Sequence, residues 1–319
     1  MTLDAAWVAH EARELSNWGR WGDDDQVGSW NLVTPEKVLS ATACVRSGQV
    51  YSLALPFGPS GPSADSIAGR PNAIHLMGLT GTDAAAGAYD RVFPGSAKFA
   101  DDWVIMNLST STQWDGFCHV FHNGYSYNGV AATQVSSWGA RRNAIPSLRD
   151  RMVTRGVLVD LPRAQGCDWI EPGTAIQPEQ LDAAAAAQGT TVEAGDAVLV
   201  RTGQLRQVRA SGSWAGYAGT APAPGLGARC GRWLAERDVA AVASDTWGLE
   251  VMPYETPDTM APLHQIVLSH CGISIGEMFD LEELADACAA DRRYTFLLVG
   301  PVLPLDGAVN TPVNPMAIR

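Results

Sequence analysis

Basic residues are scarce in this chain of 319 residues, which carries 22 lysines and arginines against 34 acidic residues and a formal charge of −12. Such a surface repels phosphate backbones and anionic lipid headgroups, so neither nucleic-acid nor membrane partners are expected. No apolar run approaches the roughly 20 residues that span a bilayer. The N-terminal stretch MTLDAAWVAHEAREL carries acids and lacks the apolar core of a secretion signal. This composition predicts a cytoplasmic protein.

Cysteine pairs of the CxxC type are missing as well. The six cysteines are scattered along the chain, which is typical of reduced, mostly buried thiols rather than of a disulfide framework or a thiolate zinc site. Histidine is also scarce, with six residues. A short segment that contains two of them therefore stands out.

The hydrophobic share of 46% and the charged share of 18% are ordinary for a folded protein. Helical and strand patterns intermix without strict alternation, which predicts one α/β domain over residues 1–319 with a mixed β-sheet core, surrounding helices and an N-terminal helical extension over 1–47. Strands are predicted at 48–57, 73–79, 102–110, 155–162, 195–203, 238–246, 273–277 and 294–305, and helices at 4–17, 178–189, 227–237, 262–272 and 280–290.

A polar cluster follows the predicted strand 102–110. The two-residue spacing of Gln113 and Asp115 puts both side chains on one side of an extended segment. If the chain then turns into a helix, Asp115 and His119 share a face. These residues could form part of a divalent-cation site. The alternative is an aspartate that caps a helix and a histidine that bonds to a carbonyl group.

The segment from 109 to 119 resembles the H-x-G-T-H-x-D-x-P-x-H motif of the cyclase superfamily, which includes bacterial kynurenine formamidase, isatin hydrolase and trans-dienelactone hydrolase. Thr112, Asp115 and His119 match the motif, whereas Ser109 and Gln113 occupy two of its histidine positions. The Gln-x-Asp form is similar to the trans-dienelactone hydrolase branch. Further similarities, such as WGDDDQVGSWNLVTPEKV, RGVLVDL, GDAVLVRTG and TPVNPMAI, extend over most of the chain. The resemblance implies the swivelling β/β/α-like fold of the kynurenine formamidase relatives.

The resemblance also implies a second half of the site near the C-terminus. The family takes its remaining metal ligands from a histidine at the start of a late helix and a glutamate at the end of the next strand, which here are His264 and Glu277. A carboxylate at the end of a short apolar strand needs a partner, which supports this role for Glu277. The alternatives are a helix cap near Asp280 for Glu277 and a solvated helix start for His264.

The predicted metal ligands are therefore Gln113, Asp115, His264 and Glu277, a set with three oxygen donors and one nitrogen that suits zinc or manganese. A bound cation lowers the pKa of its water toward about 7. His119 matches the family's general acid/base position, and Asp115 is assigned to catalysis with it. The loss of two histidines favours one ion over two. Trp18, Trp21, Trp114 and Trp247 are candidates for the pocket wall.

The function predicted on this basis is metal-dependent hydrolysis of a lactone, ester or amide on a small, ring-containing substrate, in a homodimer or larger homo-oligomer. Two alternatives remain: a non-hydrolytic cyclase, dehydratase or isomerase that uses the same metal, and a binding protein without activity. The GISIG segment fits a serine nucleophile motif at Ser274, but no histidine follows His270 in the chain. The roles of His122, Asp245 and Glu250 stay open.

Overall fold

The computed structural model describes residues 3–63 and 70–319. Within these ranges, nine strands form one mixed sheet. Numbered in chain order, they are β1 (Val50–Ser52), β2 (Gln113–Asp115), β3 (Val153–Asp160), β4 (Ala197–Arg201), β5 (Ala241–Ser244), β6 (Ser274–Glu277), β7 (Thr295–Val299), β8 (Asn310–Pro312) and β9 (Met316–Ile318).

The order of the strands across the sheet is β1-β9-β7-β3-β4-β5-β6-β2-β8. Strands β3 to β6 are parallel, and their neighbours on both sides pair in antiparallel fashion. The two central parallel strands, β4 and β5, are buried on both faces and consist mainly of Val, Leu and Ala, as expected where helices cover a sheet. The predicted single α/β domain with a mixed sheet is confirmed.

Nine α-helices surround the sheet in the described residues. They are α1 (Ala5–Glu14), α2 (Pro35–Thr42), α3 (Gly81–Ala85), α4 (Leu161–Gln165), α5 (Pro178–Gln188), α6 (Gln204–Ser211), α7 (Cys230–Glu236), α8 (Pro262–Ile266) and α9 (Glu282–Asp291). Capping residues fix several ends. The Thr34 hydroxyl accepts a hydrogen bond from the Lys37 backbone N–H at 3.3 Å and begins α2, and Gly189 ends α5 in the left-handed conformation.

The described part of the N-terminal segment packs against the domain. Trp7, Val8 and Ala12 on one face of α1 belong to the main hydrophobic core, and Asn17 donates a hydrogen bond to the carbonyl oxygen of Cys271. Residues 1–2 of the predicted extension lie outside the described residues. Among the described helices, none is long and apolar enough to cross a membrane.

Several predicted elements differ in extent from the structure, and the strands predicted at 48–57 and 294–305 are shorter, at Val50–Ser52 and Thr295–Val299. The strand predicted at 102–110 ends earlier, since Asp101–Ile105 pairs with Ile74–Leu79 in an exposed hairpin outside the main sheet. All five residues of Asp101–Ile105 are exposed. Their apolar side chains gave no sign in the sequence that this strand lies outside the main sheet. The helix predicted at 262–272 is α8 followed by a π-helical turn at Val267–Cys271, which Gly272 ends.

Candidate metal centre

The register of three strands brings polar side chains onto one face of the sheet. Gln113 of β2 lies opposite Glu277 of β6, and Asp115 of β2 lies opposite Asn310 of β8. Directly paired residues, and residues two apart on one strand, point to the same face. Trp114 points to the opposite face, where it is fully buried against Phe279. It is therefore a core residue, and its predicted place in the pocket wall is wrong.

His264 completes the cluster from the first turn of α8. Its Nε2 atom lies 3.7 Å from Asp115 Oδ2 and 3.4 Å from Glu277 Oε1. The three side chains each offer one ligand atom, and these atoms lie within 4.8 Å of one another in a buried position. Three of the four predicted ligands thus form a cluster of the size and chemistry of a metal centre.

The bonding of these atoms fits a divalent cation. Asp115 is fully buried, yet its Oδ2 atom has no hydrogen-bond donor. Burial raises the pKa of Asp115 to about 6, with a further contribution from Glu277 that His119 and His264 oppose. A buried carboxylate oxygen without a partner is costly unless a cation neutralises it. Two carboxylates and one imidazole suit zinc or manganese.

Gln113 bridges the two carboxylates. Its Nε2 atom lies 2.7 Å from Glu277 Oε2 and 3.3 Å from Asp115 Oδ1. Its Oε1 atom, the one that could bind a cation, is buried and has no hydrogen-bond donor. The side chain that replaces a family histidine is thus in contact with the centre, and its role as a ligand stays a prediction.

Asn310 is a residue of this face that the sequence analysis missed. Its amide nitrogen donates a hydrogen bond to the Ser109 hydroxyl, and its Oδ1 atom is buried without a donor. Only the register of β8 against β2 reveals it. Ser109 stands at the other replaced histidine position, so a neutral pair occupies the place where the family motif has a ligand.

Glu250 holds His264 in place. Its carboxylate accepts hydrogen bonds from the backbone N–H groups of Leu263 and His264, both at 2.9 Å, and its Oε1 atom also contacts His264 Nδ1. Burial acts to lower the pKa of His264, but the bonds to Glu250 and Glu277 outweigh it and raise that pKa well above its ordinary value. With Nδ1 engaged by Glu250, Nε2 is directed at the carboxylates. A carboxylate–histidine pair of this kind orients metal ligands in proteins.

Replacing Glu250 by glutamine is expected to weaken metal binding by about 10- to 100-fold. An amide offers one acceptor oxygen where the carboxylate offers two, so a buried N–H group of Leu263 or His264 loses its acceptor and the ring loses its orientation. Competition with a chelator of known affinity measures the effect. The exposed Glu283→Gln variant changes the charge equally and is expected to bind metal as the natural protein does.

His119 lies at the edge of the cluster. Its Nε2 atom is 3.9 Å from Asp115 Oδ1, and 23% of its side chain is exposed. The chain does not turn into a helix after Asp115, because a turn closes there with a hydrogen bond from the His119 N–H to the Gly116 carbonyl at 3.0 Å. The turn still places His119 beside Asp115. Burial lowers the pKa of His119, although Asp115 acts against it, which favours a neutral ring that can accept a proton.

Three other polar residues serve the structure. Asp245 accepts hydrogen bonds from the N–H groups of Thr202 and Gly203 at 2.7 and 2.8 Å and links the ends of β5 and β4. His122 pairs with His270, with 2.8 Å between Nδ1 and Nε2. Ser274 is fully buried and accepts a hydrogen bond from Trp30 Nε1 at 2.8 Å, so it cannot act as a nucleophile.

We expect the pair of His122 and His270 to make the folded protein less stable in acid. Burial lowers the pKa of His270 to about 4, and the charges of His122 and Arg13 add to this. Between about pH 6.5 and pH 4, His270 is therefore protonated in the unfolded state and neutral in the folded state. The free energy of unfolding falls as the pH decreases through this range. Urea unfolding at pH 7 and pH 5 should show a smaller loss for His270→Gln than for the natural protein. An equal loss would contradict this, and the exposed His10→Gln variant serves as control.

A charged residue near the cluster also escaped the sequence analysis. The guanidinium carbon of Arg70 lies 5.5 Å from the centre of the Trp247 ring, and its charge lowers the pKa values of Asp115 and His119. Arg70 follows a Gly- and Ser-rich stretch without regular pattern, so nothing in the sequence connects it with the site. Trp18 instead stacks on His270.

A mixed sheet that carries a buried Asp–His–Glu cluster between its parallel and antiparallel parts defines an α/β protein with a candidate metal centre. The chain matches the profile of the family described as "Putative cyclase" over residues 33–251, and it belongs to that cyclase family. No curated protein matches the sequence.

Solved structures agree with this assignment. A structure described as a novel cyclase is 35% identical, with a TM-score of 0.86 over 97% of this chain and 99% of that one. An isatin hydrolase bound to the product analogue thioisatinate is 17% identical, with a TM-score of 0.59 over 88% and 94% of the two chains. A structure from Bacillus stearothermophilus described as a predicted metal-dependent hydrolase is 17% identical, with a TM-score of 0.53 over 84% and 97%. The last two show the fold alone.

Proposed function

We propose that this protein is a metal-dependent hydrolase that opens a lactone or cleaves an ester or amide of a small, ring-containing substrate. The observation that carries the proposal is the buried cluster of Asp115, His264 and Glu277, in which Asp115 Oδ2 lacks a donor. The cyclase fold, with hydrolases among its structural neighbours, supports the same chemistry.

The roles of the residues follow from their positions. Asp115, His264 and Glu277 would hold a divalent cation, zinc or manganese, with Gln113 as a fourth ligand or as the bridge between the carboxylates. Such a cation supplies Lewis-acid activation of water and of the scissile carbonyl. Glu250 keeps the imidazole of His264 turned toward the carboxylates. His119 accepts a proton from the attacking water at Nε2 and returns it to the leaving group.

One cation suits the site better than two. The positions of two family histidines hold Ser109 and Gln113, whose neutral side chains already bond to Asn310 and Glu277. Elemental analysis of purified protein is expected to give close to one equivalent of zinc or manganese per chain. Two equivalents would contradict the single-ion centre. The predicted homodimer or larger assembly can be measured on the same sample by light scattering.

Isotope labelling tests hydrolysis itself. A panel of lactones, aryl formamides and cyclic imides is incubated with metal-loaded protein in oxygen-18 water. The product carboxylate is expected to carry one labelled oxygen. Turnover without label would identify the metal-dependent cyclase, dehydratase or isomerase instead. A protein without stoichiometric metal and without turnover would be the binding protein.

A further inference from the structure

Arg70 is a cation without an anionic partner. Across the described part of the chain, no carboxylate lies within ion-pair distance of its guanidinium group, and none of its N–H groups has a hydrogen-bond acceptor. The residue is half-buried rather than free in solvent. A partly desolvated guanidinium presents up to five donors in a planar fork that matches a carboxylate. The absence of an internal partner leaves that fork available to a ligand.

Trp247 supplies a second unused donor next to Arg70. Its ring lies under the guanidinium group at 5.5 Å, an arrangement that holds the cation over the aromatic face. Its indole Nε1 atom is buried and has no acceptor. Buried N–H groups are almost always paired in folded proteins. Arg70 and Trp247 are thus neighbours whose N–H groups both lack a hydrogen-bond acceptor.

Both residues lie beside the metal centre. Trp247 packs against a small core that contains Leu55 and Met278, and Met278 directly follows Glu277. Leu55 is bonded to Thr112, which precedes Gln113. The positive charge of Arg70 also acts on Asp115 and His119. A group bound between Arg70 and Trp247 would therefore stand next to the reacting carbonyl.

The unpaired positive charge of Arg70 favours an anion beside the cluster. The carboxylates of Asp115 and Glu277 would balance a divalent cation, whereas Glu250 keeps its negative charge because the ring of a metal-bound His264 is neutral. Arg70 forms no ion pair with a described carboxylate, so its positive charge is available to a ligand in a protein whose overall charge is −12. A negatively charged substrate would be repelled by much of the acidic surface and attracted to Arg70.

We propose that Arg70 and the indole N–H of Trp247 form an anion subsite, and that the substrate carries a carboxylate in addition to its scissile bond. The inference rests on the proposed hydrolase function, since it names the class of substrate for that site. It places the scissile bond at the cluster of Asp115, His264 and Glu277 and the free carboxylate at Arg70.

Binding of benzoate and of its neutral isostere benzamide to the metal-loaded full-length protein tests the subsite without turnover. Isothermal titration is expected to show tighter binding of benzoate in the natural protein. In Arg70→Gln, benzoate binding should weaken roughly 10- to 100-fold and benzamide binding should stay the same. Arg70→Lys should recover part of the affinity, and Trp247→Phe should lose a smaller part than Arg70→Gln.

The Arg46→Gln variant is the matched control. Arg46 is exposed, and the residue after it bonds to Arg319 beyond the β1 edge of the sheet, far from β2 and β6. It removes the same charge and should leave benzoate binding unchanged. If Arg70→Gln binds benzoate as tightly as the natural protein, or if benzoate and benzamide weaken equally, the subsite is refuted.

The two proposals can fail separately. Elemental analysis and the labelling experiment test the hydrolase function without reference to Arg70. Metal-dependent hydrolysis together with unchanged benzoate binding in Arg70→Gln overturns the subsite alone. Absent hydrolysis together with benzoate binding that depends on Arg70 overturns the hydrolase function and keeps an anion site.

Discussion

Exchange of Asp115 for asparagine is expected to abolish stoichiometric metal binding and, with it, hydrolysis. Asp115 Oδ2 lies 3.7 Å from His264 Nε2, and its Oδ1 atom lies 3.3 Å from Gln113 Nε2. Asparagine has the same shape, so the fold is kept while one of two negative charges disappears. The loss of affinity should exceed the roughly 10- to 100-fold change that removal of a supporting residue causes. Elemental analysis after dialysis measures the bound metal.

Thermal unfolding separates a metal effect from a folding defect. Added zinc or manganese should stabilise the natural protein by about 2.7 kcal/mol at a free concentration one hundred times the Kd, because only the folded state has the site. The Asp115→Asn variant should show no such gain. In the presence of a chelator it should be at least as stable as the natural protein, because a buried charge beside Glu277 is gone.

A matched control for this exchange is Asp102→Asn. Asp102 is an exposed residue of the hairpin formed by Ile74–Leu79 and Asp101–Ile105, and its exchange changes the net charge equally. It should bind metal and gain stability as the natural protein does. Stoichiometric metal in Asp115→Asn would show that the cluster is not the metal centre.

The second large effect concerns proton transfer. Replacement of His119 by asparagine should lower kcat by about 10²- to 10⁴-fold, the usual contribution of a general acid/base, while the metal content stays the same. His119 Nε2 is 3.9 Å from Asp115 and the side chain reaches solvent, as a group that exchanges protons with water requires. Steady-state kinetics on a substrate from the panel, combined with elemental analysis, checks both parts.

His122 provides the control within the same segment. Its ring bonds to His270 rather than to the cluster, so His122→Asn should keep kcat within a few-fold of the natural value. If the His119 variant loses its metal together with its activity, His119 is a ligand and the proposed division of roles is wrong. If it keeps both, the proton is carried by another group.

Most strands of the sheet could be predicted from the sequence because the residues within each segment indicate a strand. The Val- and Leu-rich runs at β3 and β4 are typical of buried strands, and Gly189 marks the end of α5 by its left-handed backbone. The hairpin at Ile74–Leu79 was harder to place. Its first strand is correctly located and its second is predicted too long, and nothing in their residues shows that they lie outside the main sheet.

The cluster was predictable in part for a different reason. Asp115, His264 and Glu277 come from segments that resemble a known motif, so their meeting could be inferred before the fold was known. Glu250, Asn310 and Arg70 match no ligand position of that motif. Glu250 reaches the site through the start of α8, and Asn310 through strand register. Such contacts depend on three-dimensional packing, which residue patterns do not encode one by one.

The register of β2 against β6 has a consequence for folding. Gln113 and Glu277, which face each other across these strands, are 164 residues apart in the chain. Closing a loop of this length costs conformational entropy, which opposes folding. A link between the two strands that forms in the native state offsets part of this cost. A cation shared by Asp115 and Glu277 would be such a link, because its binding energy becomes available only when both strands are in place. Metal supply is thus expected to govern how firmly this edge of the domain stays native, because an interaction made only in the native state slows unfolding.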